Sequence, residues 1–181
     1  MISMRWSPDV YREALEFAAR AHGEQKVPGK PYTYMVHLAS VCIEAIVALD
    51  SDPRADANLT ITCALLHDVL EDTKTSAAAV ESQFGRQVLK GVKALTKNSK
   101  LPKDQQMIDS LDRIKREKME IGIVKMADRT VNLSMPPQGW SKAKARAHWE
   151  EAKTILKELK ECNAFLAKRL NAMIKRYRAY L

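Results

Sequence analysis

The sequence predicts an all-α protein folded as a single domain over residues 1–181, with a core at roughly 8–160 and a C-terminal helix at 163–180. Three observations point there. Apolar residues return at helical spacing in nearly every segment. Proline, glycine and capping residues cut the chain into pieces of ordinary helix length. No alternating pattern around a tight turn marks a β-hairpin, and no internal repeat is present.

Ser7 before Pro8 is an N-cap followed by a first-turn proline, and opens a helix to about Ala21. His22 to Pro31 holds Pro28, Gly29 and Pro31 and reads as an irregular loop. A second helix from about Tyr32 to Leu49 carries His37, and Asp50 to Asp56 is a polar connection. A third spans about Leu59 to Asp72. Thr75 or Ser76 caps a short helix that stops at Gly85, a C′ glycine. Arg86 to Leu95 resumes, and Thr96 to Lys103 is a polar loop closed by Pro102. Further helices are expected near Asp104–Glu120, Ile121–Leu133, Ser141–Lys160 and Asn163–Tyr180, with Pro136, Pro137 and Gly139 separating the middle two.

Composition narrows the function classes. Apolar residues are 46% and charged residues 29%, which is globular rather than disordered composition. Apolar runs are broken well before the ~20 residues a membrane span needs. The start, Met1 to Trp6, lacks the apolar core of a secretory signal, so a cytoplasmic location without membrane attachment is expected. Cys42, Cys63 and Cys162 form no CxxC pair and read as small apolar residues rather than zinc or redox groups. The net charge of +8 favours anionic partners. Much of it lies on Lys157, Lys160, Lys168, Arg169, Lys175, Arg176 and Arg178, spaced as the solvated face of a helix without a nucleic-acid motif. Nucleic acid is therefore not the expected partner.

Polar groups interrupt two otherwise core-like stretches. In Ala64-Leu65-Leu66-His67-Asp68-Val69-Leu70-Glu71-Asp72-Thr73, His67 and Glu71 are four apart, as are Asp68 and Asp72. Each pair would share a helix face. In Val124-Lys125-Met126-Ala127-Asp128-Arg129-Thr130-Val131-Asn132, Asp128 and Asn132 repeat that spacing. Asp68, Glu71, Asp72 and Asp128 gathered together would repel one another strongly, and a divalent cation would relieve them. Read singly, Asp68 suits a cap, Glu71-Asp72 a solvated helix end, and His37 a hydrogen-bonded core histidine.

Together these residues resemble the HD-domain metal-dependent phosphohydrolases, and within them the alarmone hydrolases of the RelA/SpoT type and their small stand-alone relatives. The resemblance runs from roughly Tyr11 to Leu159. It rests on His37 in Pro31-Tyr32-Thr33-Tyr34-Met35-Val36-His37, on His67-Asp68 with Glu71-Asp72, and on Asp128 with Asn132 one turn later. Ala21-His22, Gln25, Phe84-Gly85 and Leu95-Thr96-Lys97 match as well. The resemblance implies a helical HD bundle with Mn²⁺ held by His37, His67, Asp68 and Asp128. In such enzymes the metal acidifies a bound water and takes a phosphate oxygen. Glu71 and Asp72 match the acidic pair that positions and deprotonates the water. The implied substrate is a nucleotide, guanosine tetra- or pentaphosphate, cleaved at its 3′ position to release pyrophosphate. Asn132 would face the sugar or base, and Lys125 or Arg129 a phosphate, although Arg129 would serve equally as the partner of a carboxylate.

Two stretches depart from the family. Gln25-Lys26-Val27-Pro28-Gly29-Lys30-Pro31-Tyr32 is one residue shorter than the usual basic run and holds no arginine. Lys26 can replace one positive charge there, but not planar guanidinium stacking. After Asn132, Ser134-Met135-Pro136-Pro137-Gln138-Gly139-Trp140 replaces the common Arg-Thr sequence. The identity of the base therefore stays open. So do a phosphohydrolase for another nucleotide or phosphate ester, a nucleotide-binding sensor without turnover, and a homo-oligomer.

Overall fold

The computed structural model describes residues 5–181. Residues 1–4, part of the stretch read as lacking a secretory core, lie outside the described residues. The helices are α1 (Pro8–His22), α2 (Met35–Asp50), α3 (Ala57–Leu66), α4 (Val69–Asp72), α5 (Ala77–Leu95), α6 (Lys103–Ile114), α7 (Met119–Asn132), α8 (Lys142–Leu159) and α9 (Ala164–Tyr177). Short 3₁₀ turns follow α8 and α9. Side-chain caps start many of them: Ser7, Asp56, Ser76, Ser141 and Asn163 each accept a hydrogen bond from a first-turn backbone N–H. α5 is interrupted at Gly85 (φ 82°, ψ 169°), a conformation that favours glycine.

Three boundaries differ from the sequence expectation. α2 begins at Met35, not Tyr32, because the preceding residues pair with the loop before them. Val27 N donates to Tyr32 O and Tyr34 N to Gln25 O, and Lys26 and Thr33 form an antiparallel bridge. This small hairpin around Pro28-Gly29 carried no alternating signal.

The helix expected over 59–72 breaks at residues 67–68 into α3 and α4. His67 Nδ1 bonds Ala64 O (2.8 Å), the carbonyl that a continuous helix would offer to Asp68 N. Asp68 (φ −102°, ψ −1°) then starts a new turn, its carbonyl accepting from the amides of Glu71 and Asp72. The expected helix over 104–120 ends at Ile114. Continuing the buried series Met107, Leu111, Ile114 would carry Lys118 into the core; the turn resets the register so that Ile121, Ile123 and Val124 enter instead.

One apolar cluster draws on α1 to α9, with α7 buried continuously from Glu120 to Thr130. Around α7 pack α2, α3, α8 and α9. Leu38, Leu66 and Ala127 are fully buried beside His37, His67 and Asp128. Burying a leucine stabilises by roughly 1.5–3 kcal/mol, so apolar neighbours fix the register of each polar residue. Cys42, Cys63 and Cys162 are free thiols, the first two buried. No described helix is long and apolar enough to cross a membrane.

Candidate metal centre and its two chambers

Three helices bring the polar groups together. His37 comes from the first turn of α2, His67 and Asp68 from the break between α3 and α4, and Asp128 from the centre of α7. His37 Nε2 lies 3.3 Å from His67 Nε2 and 3.5 Å from Asp128 Oδ1. Asp68 Oδ2 is 2.9 Å from His67 Nε2 and 3.7 Å from His37 Nε2. His37, His67 and Asp128 are buried and offer ligand atoms within 4.8 Å of one another, a group able to hold a metal ion.

The donor set suits such an ion. Two imidazole nitrogens point at each other with carboxylate oxygens beside them, an arrangement that favours a positive charge among them. Without metal, His67 carries it: Nδ1 faces Ala64 O and Nε2 faces Asp68, so both nitrogens have acceptors. Burial pushes the His67 pKa down, but Asp68 and Asp128 outweigh it and lift it to about 9. Burial works against the Asp68 carboxylate, which His67 and Tyr34 nevertheless hold at about 2. Asp128 stays well below its usual range despite burial, through His37, Lys125 and His67. Tyr34 Oη donates to Asp68, and burial together with that anion raises its pKa, so it remains a donor.

The remaining acids lie beside this group. Glu71 accepts from the Lys97 backbone N (2.8 Å) and sits 3.7 Å from Lys97 Nζ. Asp72 accepts from Gln25 Nε2 (3.2 Å). Lys125 Nζ is 3.5 Å from Asp128 Oδ2. With Lys97 matching Glu71 and Lys125 matching Asp128, Asp68 and Asp72 are left without an ion-paired lysine or arginine among the described residues. Once His67 gives up its proton to a metal, the remaining charge of about −2 is what a divalent cation neutralises.

The other predicted site residues are spread around this centre. Asn132 Nδ2 donates to Asp128 Oδ1. Arg129 turns to Glu151 Oε2 (3.1 Å) and His148 Nδ1 (2.7 Å). His148 Nε2 in turn meets Asn132 O at 3.2 Å, and burial and Arg129 lower its pKa to about 4, which keeps it neutral. Lys26 is exposed on the small hairpin.

Two chambers meet here. One is acidic and polar, walled by Asp68, Glu71, Asp72, Lys97, Lys125 and Asp128. The other, of about 200 Å³, is apolar and aromatic, with Tyr32, Val36, Met135, Pro137 and Trp140 in its wall and Lys30 as its cation. Asn132 and His148 line both, and His37 also reaches the second. Gln25 and Tyr34 lie within the motifs that carry the resemblance but have no role assigned by it; Lys30, Trp140 and His148 carry no local signal of function in the sequence. Histidine scarcity was a usable signal, since the chain has four. Two of them meet at this centre, His148 lines both chambers, and His22 packs on Tyr34.

A family model described as HD domain matches residues 14–173. The human protein named guanosine-3′,5′-bis(diphosphate) 3′-pyrophosphohydrolase MESH1 is 30% identical over 171 residues, covering 90% of this chain and 92% of that one. A protein of Aquifex aeolicus named guanosine-3′,5′-bis(diphosphate) 3′-pyrophosphohydrolase is 32% identical over 168 residues, 88% of this chain but 21% of its own length. A solved structure described as a metazoan orthologue of SpoT that hydrolyses ppGpp aligns with a TM-score of 0.79 at 26% identity, covering 94% of this chain and 96% of that one. With a match that leaves out only the two ends, and with histidines and aspartates from three helices facing one another in its core, this chain belongs to the HD-domain family.

Proposed function

We propose that this chain is a metal-dependent pyrophosphohydrolase that releases pyrophosphate from the ribose 3′ position of guanosine 3′,5′-bis(diphosphate). The observation that carries the reading is the joint between the chambers: a phosphate end fits the acidic chamber and a flat base the aromatic one, with Asn132 between them. The names of the MESH1 relatives support the same substrate. A nucleotide substrate also suits a cytoplasmic location.

His37, His67, Asp68 and Asp128 would hold the ion, and their mixed imidazole and carboxylate donors suit Mn²⁺. When bound, such an ion supplies Lewis-acid polarisation of the phosphate and acidification of water. Glu71 and Asp72 orient the attacking water and take its proton. The water oxygen bonds to the phosphorus carried on O3′, the O3′–P bond breaks, and a proton goes to the departing O3′. Lys125 holds Asp128 in place and offsets charge beside the phosphates. Arg129 positions His148, and Asn132 meets the sugar. Lys30, rather than the exposed Lys26, stands where the cleft needs a cation.

Purified protein with Mn²⁺ should produce GDP and pyrophosphate from guanosine tetraphosphate, with pyrophosphate and phosphate detected separately. Turnover that survives chelation would overturn the mechanism. The arginine-free wall favours one second reading, a phosphohydrolase for another nucleotide or phosphate ester. A substrate panel separates the two, and binding without consumption of any member would identify a sensor.

A further inference from the structure

His22 is buried, lies outside the proposed ligand set, and touches both arms of the centre. Its Nδ1 is 2.8 Å from Gln25 Oε1, and Gln25 Nε2 is 3.2 Å from Asp72 Oδ2. Its ring stacks on Tyr34 (centroids 4.9 Å apart, planes 22° apart), whose hydroxyl donates to Asp68. The direction of the hydrogen bonds follows from the acid. A carboxylate oxygen accepts, so Gln25 must turn its NH₂ to Asp72 and its carbonyl oxygen to His22. His22 Nδ1 must therefore carry the hydrogen. Its Nε2, buried and without a partner among the described residues, is then the bare nitrogen, because a buried N–H without an acceptor would cost more. Backbone bonds close the same knot: Gln25 N donates to His22 O, and Tyr34 N donates to Gln25 O.

We propose that His22 is a positioning residue, which through Gln25 sets the carboxylate of Asp72 toward the attacking water and through Tyr34 steadies Asp68. The proposal rests on the reading of Asp72 as part of the water-activating pair. A buried, rigid ring anchored on α1 thus governs an exposed acid on α4, which has no lysine or arginine partner among the described residues to hold it.

The test is a double-mutant cycle on turnover of guanosine tetraphosphate with Mn²⁺, with Asp72→Asn alongside. His22→Ala and Gln25→Ala should each lower kcat by about 10- to 100-fold, the range expected for a misplaced catalytic group. In Gln25→Ala, which reaches Asp72 alone, KM and the thermal shift produced by Mn²⁺ should stay at wild-type values. The double variant should lose no more than the worse single, since both lie on one line to Asp72. His22→Asn, whose amide donates where Nδ1 did, should recover much of the loss. Additive losses, or full kcat in Gln25→Ala, would overturn the proposal. Gln25 is half-buried in a loop, so its variant remains decisive if His22→Ala does not fold. Full turnover in Asp72→Asn would overturn the assignment of Asp72 and the brace with it. A dead Asp72→Asn beside fully active His22 and Gln25 variants would overturn the brace alone.

Discussion

Metal binding should be coupled to the loss of a proton from His67. In the metal-free protein this imidazole is held as a cation, with a pKa near 9, by Asp68 and Asp128 working against burial. A metal takes only the neutral ring, so below that pKa the ion must displace the proton. Each pH unit is then a factor of ten in apparent affinity, about 1.4 kcal/mol. From pH 6.5 to 8.5, where the slope begins to flatten, His67 alone should strengthen Mn²⁺ binding by about 75-fold. Asp68, near 2, and Asp128, well below its usual range, are already ionised there and release nothing.

The metal-free protein moves the other way. A folded pKa raised above the unfolded value of about 6.5 gives stability that is fully present below 6.5 and lost as pH rises through 9. Melting temperatures should therefore fall from pH 6.5 to 9 without metal, while the increment from Mn²⁺ grows. Calorimetry in two buffers of different ionisation enthalpy should find at least one proton released per ion at pH 7.5. Affinity flat across this range, with no proton release, would refute the reasoning.

In the aromatic chamber, Trp140→Ala should raise KM for the nucleotide by about 5- to 100-fold, the worth of one base–aromatic contact, and Trp140→Phe should restore most of it; steady-state kinetics decides. Gly91→Ala would set a methyl 2.4 Å from Ile121 Cδ1 and 2.9 Å from Cys63 Sγ, both on fully buried residues. Overpacking of about 1–3 kcal/mol, offset by up to about 1 kcal/mol of helix propensity, should lower the denaturation midpoint, and Ile121→Val should restore part of it. His148, depressed to about 4, contributes stability present above the unfolded value near 6.5 and lost as pH falls toward 4. Metal-free His148→Gln should show a flatter acid limb in melting temperature against pH. Removing the ion with a chelator should lower the melting temperature of wild type far more than that of Asp128→Asn, which already lacks one candidate ligand.

The helices were legible because burial repeats with their period: Val88, Val92 and Leu95 on α5, and Leu166, Leu170 and Ile174 on α9, are core residues. The ends read best where a cap stands, as at Ser7, Ser76 and Ser141. The break at residues 67–68 was not legible, because Leu65, Leu66, Val69 and Leu70 continue an apolar run straight through it. What interrupts the helix is a side-chain bond from His67 to Ala64 O, which no periodicity contains. The order of the histidines and acids made the centre readable as a motif. Residues that meet it only through the fold, such as Trp140 from the loop before α8, left no local trace beyond their rarity.

The break also explains how one short segment can face two ways. On a continuous helix, His67 and Glu71 would share one face and Asp68 and Asp72 the adjoining one, so all four would lie on the same side. The interruption turns His67 inward against His37 while Glu71 and Asp72 stay exposed at the chamber, tied to Lys97 and Gln25. The aromatic chamber is built from other segments. Gly29, at φ 74°, brings its backbone so close to Pro137 that an added Cβ would lie 3.4 Å from Pro137 Cβ. The two stretches that depart from the family pattern thus lie side by side, and together they wall the aromatic chamber. Gln25, at the head of the first stretch, also bonds Asp72 on α4, so that stretch touches the acidic chamber too.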